Sequence, residues 1–233
     1  RPFSLGMPAL DKFPFDKWRR AVAQSARMIR THHSGFGDLQ GVDELRRAIS
    51  SIVAIKRGVE CDPSRVVIVS SAQQAFDLIG RLLIDPGAHV IHEEPGYFLS
   101  RGAFIANGAR IVTARIDGHG AIPPKSTSRG RRKLAFAYLT PSHQQPLGMA
   151  MPMARRLEWL ESSRRKNYWI VEDDFDSEFR YDVTPIPALQ GIDDERVIYV
   201  SSFSKTMFPG MRLAYIVFPR RLVKQLLGIK SLA

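Results

Sequence analysis

Lys205 stands in the segment SSFSKTMFPGMRLAY, just past an apolar run and flanked by hydroxyls. A lysine amine so placed can condense with an aldehyde once its pKa is lowered or a positive group lies close. Arg212, farther along the same segment, offers a planar fork suited to phosphate oxygens. Ser202 and Ser204 add further donors. Taken alone, a surface lysine beside a capping serine accounts for the same residues. Asp173, in VEDDFDSEFRYD, supplies the complementary charge. A carboxylate that faces a ring nitrogen keeps it protonated, which lets the ring draw electrons from a neighbouring carbanion. Asp173, Asp174, Asp176, Glu178 and Asp182 together also resemble a divalent-cation cluster. That reading is the weaker one, since no histidine and no calcium-loop spacing accompany them.

Three further pieces have polar residues at turns. Ser70, Ser71, Ala72 and Gln73 lie between a β-branched run and a helical one, where backbone N–H groups can receive a phosphate. A simple N-cap explains the same serines. Tyr97, in HEEPGYFLS, follows a Pro-Gly turn and could stack on a flat ring, or serve as core. His143 and Gln144, in TPSHQQPLG, stand in a rigid turn where either could hydrogen-bond a phenolic oxygen. His89 and His92 have a spacing that looks metal-like, but on a strand it turns the two rings to opposite faces.

The elements that must carry these residues alternate. Helical patterns run over Asp16 to Arg30, Val42 to Arg57, Ala72 to Leu83, Tyr97 to Asn107, Met151 to Ser162 and Arg220 to Leu232. Strand patterns run over Val66 to Val69, His89 to Ile91, Arg110 to Thr113, Leu134 to Leu139, Tyr168 to Val171, Val197 to Val200 and Leu213 to Phe218. Such alternation predicts an α/β fold, a three-layer αβα arrangement around a mostly parallel sheet. Ligands in such sheets bind just past strand C-termini. Ser70-Ser71, Glu172-Asp173-Asp174 and Ser201 to Lys205 all fall there.

The 233 residues suffice for one sizeable core. Lys and Arg number 34 against 23 Asp and Glu, a formal charge of +11, which raises the prospect of an anionic partner. The basic runs at Arg129 to Lys133, Arg164 to Lys166 and Arg220-Arg221 lack the interleaved aromatics of a single-strand groove. Solvated surface charge is the plainer reading. The lone cysteine, Cys61, rules out an intrachain disulfide and reads as structural. No run reaches the roughly 18 apolar residues of a membrane span, and no signal-peptide order opens the chain. The expectation is a cytoplasmic protein with no metal.

The ordered set GFGDLQGVDELRRAI, AQQAFDLIGRLLIDPG, EEPGY, TPSHQQPLG, EDDFDSEFRYD and SFSKTMFPGMRLAY resembles the fold-type I pyridoxal-phosphate family. More narrowly, it resembles the aminotransferase-like (class I/II) domain of the MocR branch of GntR-type bacterial regulators. The resemblance implies pyridoxal 5'-phosphate as cofactor, with Lys205 forming the internal aldimine and Asp173 pairing with the pyridine nitrogen. It implies that Tyr97 stacks on the ring, and that Arg212, Ser202 and the Ser71-Ala72-Gln73 turn hold the phosphate. It also implies a homodimer. Phe175 stands where the family usually has a tyrosine whose hydroxyl reaches the ring oxygen; the partner here is then His143, Gln144 or water. Ser71 replaces a usual glycine, and Asp38-Leu39 a usual Asp-Pro.

The resemblance further implies a winged helix-turn-helix domain before this segment and a small C-terminal domain after it. Neither is in the sequence, so the chain reads as truncated at both ends, with residues 1–40 an arm and first helix and residues 41–233 the cofactor-binding large domain. The leading function is an effector domain that senses a small amine, an amino acid or the cofactor itself, with DNA contacted only through the winged domain. An aminotransferase acting on an amino acid is the alternative, and a non-catalytic fragment the third. The missing carboxylate-binding region counts against efficient turnover.

Overall fold

A computed structural model describes residues 6–29, 35, 37–59, 61–124, 133–179 and 186–232. Arg129, Arg131 and Arg132 of the basic run, Asp182 of the acidic cluster, Arg30 and residues 1–5 lie outside these. The described strands are β1 (Val66–Val69), β2 (His89–Glu94), β3 (Arg110–Asp117), β4 (Gly120–Ala121), β5 (Leu134–Leu139), β6 (Trp169–Asp173), β7 (Val197–Ser202) and β8 (Ala214–Val217). They form one sheet in the order β1-β8-β7-β6-β5-β2-β3-β4. The pairs β2–β3, β2–β5, β5–β6 and β6–β7 are parallel. Strand β8 is antiparallel to both β1 and β7, and β4 is antiparallel to β3.

The helices are α1 (Phe15–Met28), α2 (Asp43–Arg57), α3 (Ala72–Leu83), α4 (Phe98–Ala106), α5 (Met153–Lys166), α6 (Leu189–Ile192) and α7 (Arg220–Lys230). Side chains alternate across a strand, so each strand feeds two cores. Val171, Tyr138, Ile198 and Val200 pack with Phe76, Phe104 and Leu222 under α3, α4 and α7. Ile170, Ala137, Leu139 and Val197 pack with Trp159 and Leu160 of α5 and Leu189 of α6. A third cluster seats α2 through Ile49 and Val53 against Val66, Tyr199 and Val217. The result is the three-layer αβα architecture. All six residues of β5 are buried, as a strand covered on both faces requires.

Local signals place the boundaries. Helix α2 stops where Gly58 takes φ 64°, and its N–H returns to the Ala54 and Val53 carbonyls. Helix α3 starts where the Ser71 side chain accepts from the Gln74 N–H. Strand β3 runs four residues beyond the expected Thr113, to Asp117. Helix α1 has no buried residue among those described, although its pattern is amphipathic. Trp18 instead joins Phe13, Phe15 and Phe208 in an aromatic cluster, with ring centroids 5.0 to 6.1 Å from Phe208. The arm is thereby tied to the loop that follows Lys205. No described helix is long and apolar enough to cross a membrane.

Below the strand ends, Arg57 is buried and binds three partners. Its guanidinium donates to Asp174 Oδ2 at 2.8 Å, Ser142 Oγ at 2.6 Å and the Ile186 carbonyl at 3.1 Å. Removing one member of a buried pair strands the other charge. Arg57→Met is therefore expected to cost about 3–5 kcal/mol, read as a lowered denaturant midpoint with an unchanged slope. A loss below about 1 kcal/mol, the range of an exposed pair, would show that the pair is solvated.

Candidate functional site

The acidic segment ends β6, and the pleat separates its members. Asp173 shares the face of Val171 and looks into the α3/α4 side; Glu172 and Asp174 serve the other side. Glu172 accepts from the Leu189 and Gln190 N–H groups at 3.0 Å and lies 3.6 Å from Arg156. Asp174 accepts from Arg57, Ser177 and the Tyr199 hydroxyl. Burial alone would raise its pKa; Arg57 and these hydroxyls outweigh that and hold it below the usual carboxylate range. Glu178 pairs with Lys56 at 2.9 Å. Among the described residues these carboxylates diverge, and no group of three or more His, Cys, Asp or Glu side chains could hold a metal ion.

Asp173 is 4% exposed and has one partner: the Tyr138 hydroxyl donates to its Oδ2 at 2.5 Å. Its Oδ1 is buried and meets no hydrogen-bond partner among the described residues. A buried carboxylate oxygen left open is costly unless a donor comes to it. Burial, with the nearby charges of Asp174 and Asp176, pushes this carboxyl up to about 7, and the Tyr138 bond only partly offsets that. An N–H donor arriving at Oδ1 would reverse the shift. The open atom therefore suits the protonated nitrogen of a pyridine ring, and the residues present fit that group.

Lys205 follows β7 in a half-buried turn. Its amine donates to the Gly6 carbonyl of the N-terminal arm. A Cβ on Gly6 would lie 2.6 Å from that amine, so the arm approaches it as bare backbone. Burial lowers the Lys205 pKa, while Asp176 and Asp173 pull it back up. The lysine and both carboxylates are thus in electrostatic reach of one another. Tyr97 caps α4, and its phenol is raised by burial and then by the Asp173 charge. The Asp173 charge therefore reaches its hydroxyl.

At the start of α3 the Ser71 oxygen is used as a cap, but the N–H groups of Ala72 and Gln73 lack helical partners. Ser71 has φ −171°, extended backbone open to any residue, so serine in place of glycine costs no strain. The Gln73 side chain donates to the Leu99 carbonyl at 3.2 Å and braces α4 instead of the open N–H groups. Ser202 closes β7 opposite Ala214. Ser204 lies in the half-buried Lys205 turn. Arg212 is exposed, in a left-handed conformation at φ 51°.

His143 binds Asp176 through Nδ1 at 2.7 Å. Phe175, beside Asp176, presents no hydroxyl. Gln144 corrects an expectation: it is 2% exposed, and its amide is fully used inside the loop. Its Nε2 donates to Glu93, the Pro95 carbonyl and the Gln145 carbonyl, while its Oε1 accepts from the Leu147 N–H. It has nothing left for a ring oxygen. Sequence reasoning missed Tyr138 and Glu93. Tyr138 sits in the alternation LAFAYL and reads as core; only its register beside β6 brings it to Asp173. Burial raises the Asp173 carboxyl above its unfolded range, so the folded chain binds that proton more tightly. The contribution favours the fold below about pH 4 and is lost as pH rises toward 7. Asp173→Asn cannot ionise, so the ligand-free variant should be more stable than wild type at about pH 8, with the gap closing by about pH 4. Denaturant midpoints at both values check this, and equal gaps would contradict it.

The family described as "Aminotransferase class I and II" matches residues 2–232. The probable rhizopine catabolism regulatory protein MocR of Rhizobium meliloti is 38% identical over 94% of this chain and 44% of its own length. The uncharacterized HTH-type transcriptional regulator YhdI of Bacillus subtilis is 37% identical over 91% of this chain and 45% of its own. Among solved structures, LysN, an α-aminoadipate aminotransferase from Thermus thermophilus complexed with N-(5'-phosphopyridoxyl)-L-leucine, superposes with a TM-score of 0.86. It is 28% identical, over 98% of this chain and 59% of that one. The chain spans about half the length of the curated relatives it matches.

Proposed function

The chain belongs to the class I and II aminotransferase family, in its pyridoxal-phosphate-binding, fold-type I form, and from that premise we propose that it is the effector domain of a bacterial transcription regulator of the MocR type. It senses a small amine, an amino acid or the cofactor itself. The greater identity to regulators than to the aminotransferase supports this over a metabolic role. The observation that carries the cofactor assignment is the open Oδ1 of Asp173, whose carboxyl lies within electrostatic reach of a lysine amine whose pKa burial has lowered.

Pyridoxal phosphate supplies an aldehyde that condenses with amines and a ring that accepts electrons from an adjoining carbon. The chain's own residues do the rest. Lys205 offers the amine. Asp173 holds a proton on the ring nitrogen, with Tyr138 fixing which oxygen faces it. Tyr97 covers the ring. The Ala72 and Gln73 N–H groups, Ser202, Ser204 and Arg212 hold the phosphate. His143, steadied by Asp176, serves the ring oxygen that Phe175 cannot reach. Residues 1–40 form an arm and first helix, and residues 41–233 the binding domain. The working unit is a homodimer, and DNA is contacted through a helix-turn-helix segment of the kind that the relatives' names describe.

Titrating the protein with pyridoxal phosphate should give an absorbance band near the visible edge that Lys205→Ala lacks. The same band in both proteins would overturn the assignment of the lysine. Phe175→Tyr restores a hydroxyl donor, which favours the ionised form of the group it meets. The pH midpoint of that band should then fall by roughly one unit in Phe175→Tyr. Coincident titration curves would exclude a role for position 175.

A further inference from the structure

Glu93 stands near the end of β2 with its side chain 1% exposed. It lies between the loop that leads to Tyr97 and the loop that carries His143. Its Oε2 accepts from the Thr140 hydroxyl at 2.5 Å and from Gln144 Nε2 at 3.3 Å, and its Oε1 accepts from the Thr140 N–H at 3.2 Å. Thr140 Oγ1 itself accepts from the Gln145 N–H at 3.1 Å, so its single proton is free for Glu93. Three donors converge on two oxygens. A proton or an NH2 group on Oε2 would face the Gln144 Nε2 donor, and Thr140 could accept it only by turning its own hydroxyl proton away from Glu93.

The contacts spread to both loops. Gln144 Nε2 also reaches the Pro95 carbonyl at 3.0 Å. Gly96 packs so close that a Cβ would lie 2.4 Å from the Glu93 carbonyl. His92 Nδ1 bonds that same carbonyl at 2.8 Å, and Ser100 links His92 Nε2 at 3.0 Å to the Tyr97 carbonyl at 2.8 Å. On the other side, Gln144 adjoins His143, which Asp176 holds.

We propose that Glu93 is a positioning residue that acts only as a carboxylate, stapling the Tyr97 loop to the His143 loop and so setting the width of the slot between them. The staple exists without any ligand; its bearing on the cofactor rests on the reading above. Burial opposes the charge and pushes this carboxyl up to about 7, against the three donors. Among the described residues, the groups that register the Glu93 charge are Tyr138 of β5 and Asp173 of β6, and neither is a cation that would hold the charge in place.

The test is amide hydrogen exchange on ligand-free wild type and Glu93→Gln at about pH 8, above the Glu93 midpoint, with pyridoxal phosphate affinity measured beside it. One charge-assisted set of bonds is lost, so both loops should exchange roughly tenfold faster together, with the central strands unchanged and the cofactor bound roughly tenfold more weakly. Unchanged loop exchange in Glu93→Gln overturns the staple. Faster loops in the variant, with no cofactor bound by either protein, uphold the staple and overturn the cofactor reading. If Glu93→Gln does not fold, Thr140→Val and Thr140→Ser decide. Thr140→Val should loosen both loops and Thr140→Ser, which keeps the hydroxyl, should not; equal behaviour of the two overturns the proposal.

Discussion

Three consecutive carboxylates enter the interior at the end of β6, and the protein answers each in its own way. Glu172 receives an arginine and two helix-start N–H groups. Asp174 receives an arginine and hydroxyls. Asp173 receives one phenol and is left with an open oxygen. Burying a charge without a partner is among the costliest choices a fold can make. Asp174 also keeps one buried oxygen, Oδ1, without a hydrogen-bond partner among the described residues, but Arg57 holds its charge; Asp173 has only the phenol there, and its charge reaches Lys205 and Tyr97. The pleat of a single strand thus separates Asp173 from the two carboxylates that arginines hold.

The same economy explains part of the basic composition. Arg46, Arg57, Arg65 and Arg156 are all buried. Arg46 spans the Gly41 and Pro63 carbonyls and Asp38. Arg65 binds the Phe218 and Asp194 carbonyls and the Asp194 side chain. A guanidinium has five donors in a rigid fork, which suits it to tying loops together. Some of the +11 charge is therefore internal scaffolding, and net charge overstates the basic surface.

Much of this was legible in the sequence. The β-branched runs and the helical spacing located most elements, because strands buried on both faces must be apolar throughout. Lys205 and Asp173 stood out because a charged residue after such a run has a reason to be there. The opposite direction of β8 was not legible, since strand direction leaves no mark on composition. Neither were β4, of two residues, and α6, of four, which are too short for a period to show. Gln144 was misread because a polar residue in a turn looks the same whether it faces a ligand or, as here, a buried glutamate from a distant strand. Tyr138 was missed for the converse reason: its ring is core, and only its hydroxyl is not.

The Gly6 contact places a demand on the chemistry of position 205. An amine that donates to a carbonyl as an ammonium has no lone pair to offer. To become a nucleophile, Lys205 must shed a proton, and the neutral amine then keeps two N–H groups, one of which can still donate to the Gly6 carbonyl. The N-terminal strap therefore governs the direction in which the free lone pair can point, and whatever fixes the strap also orients the amine.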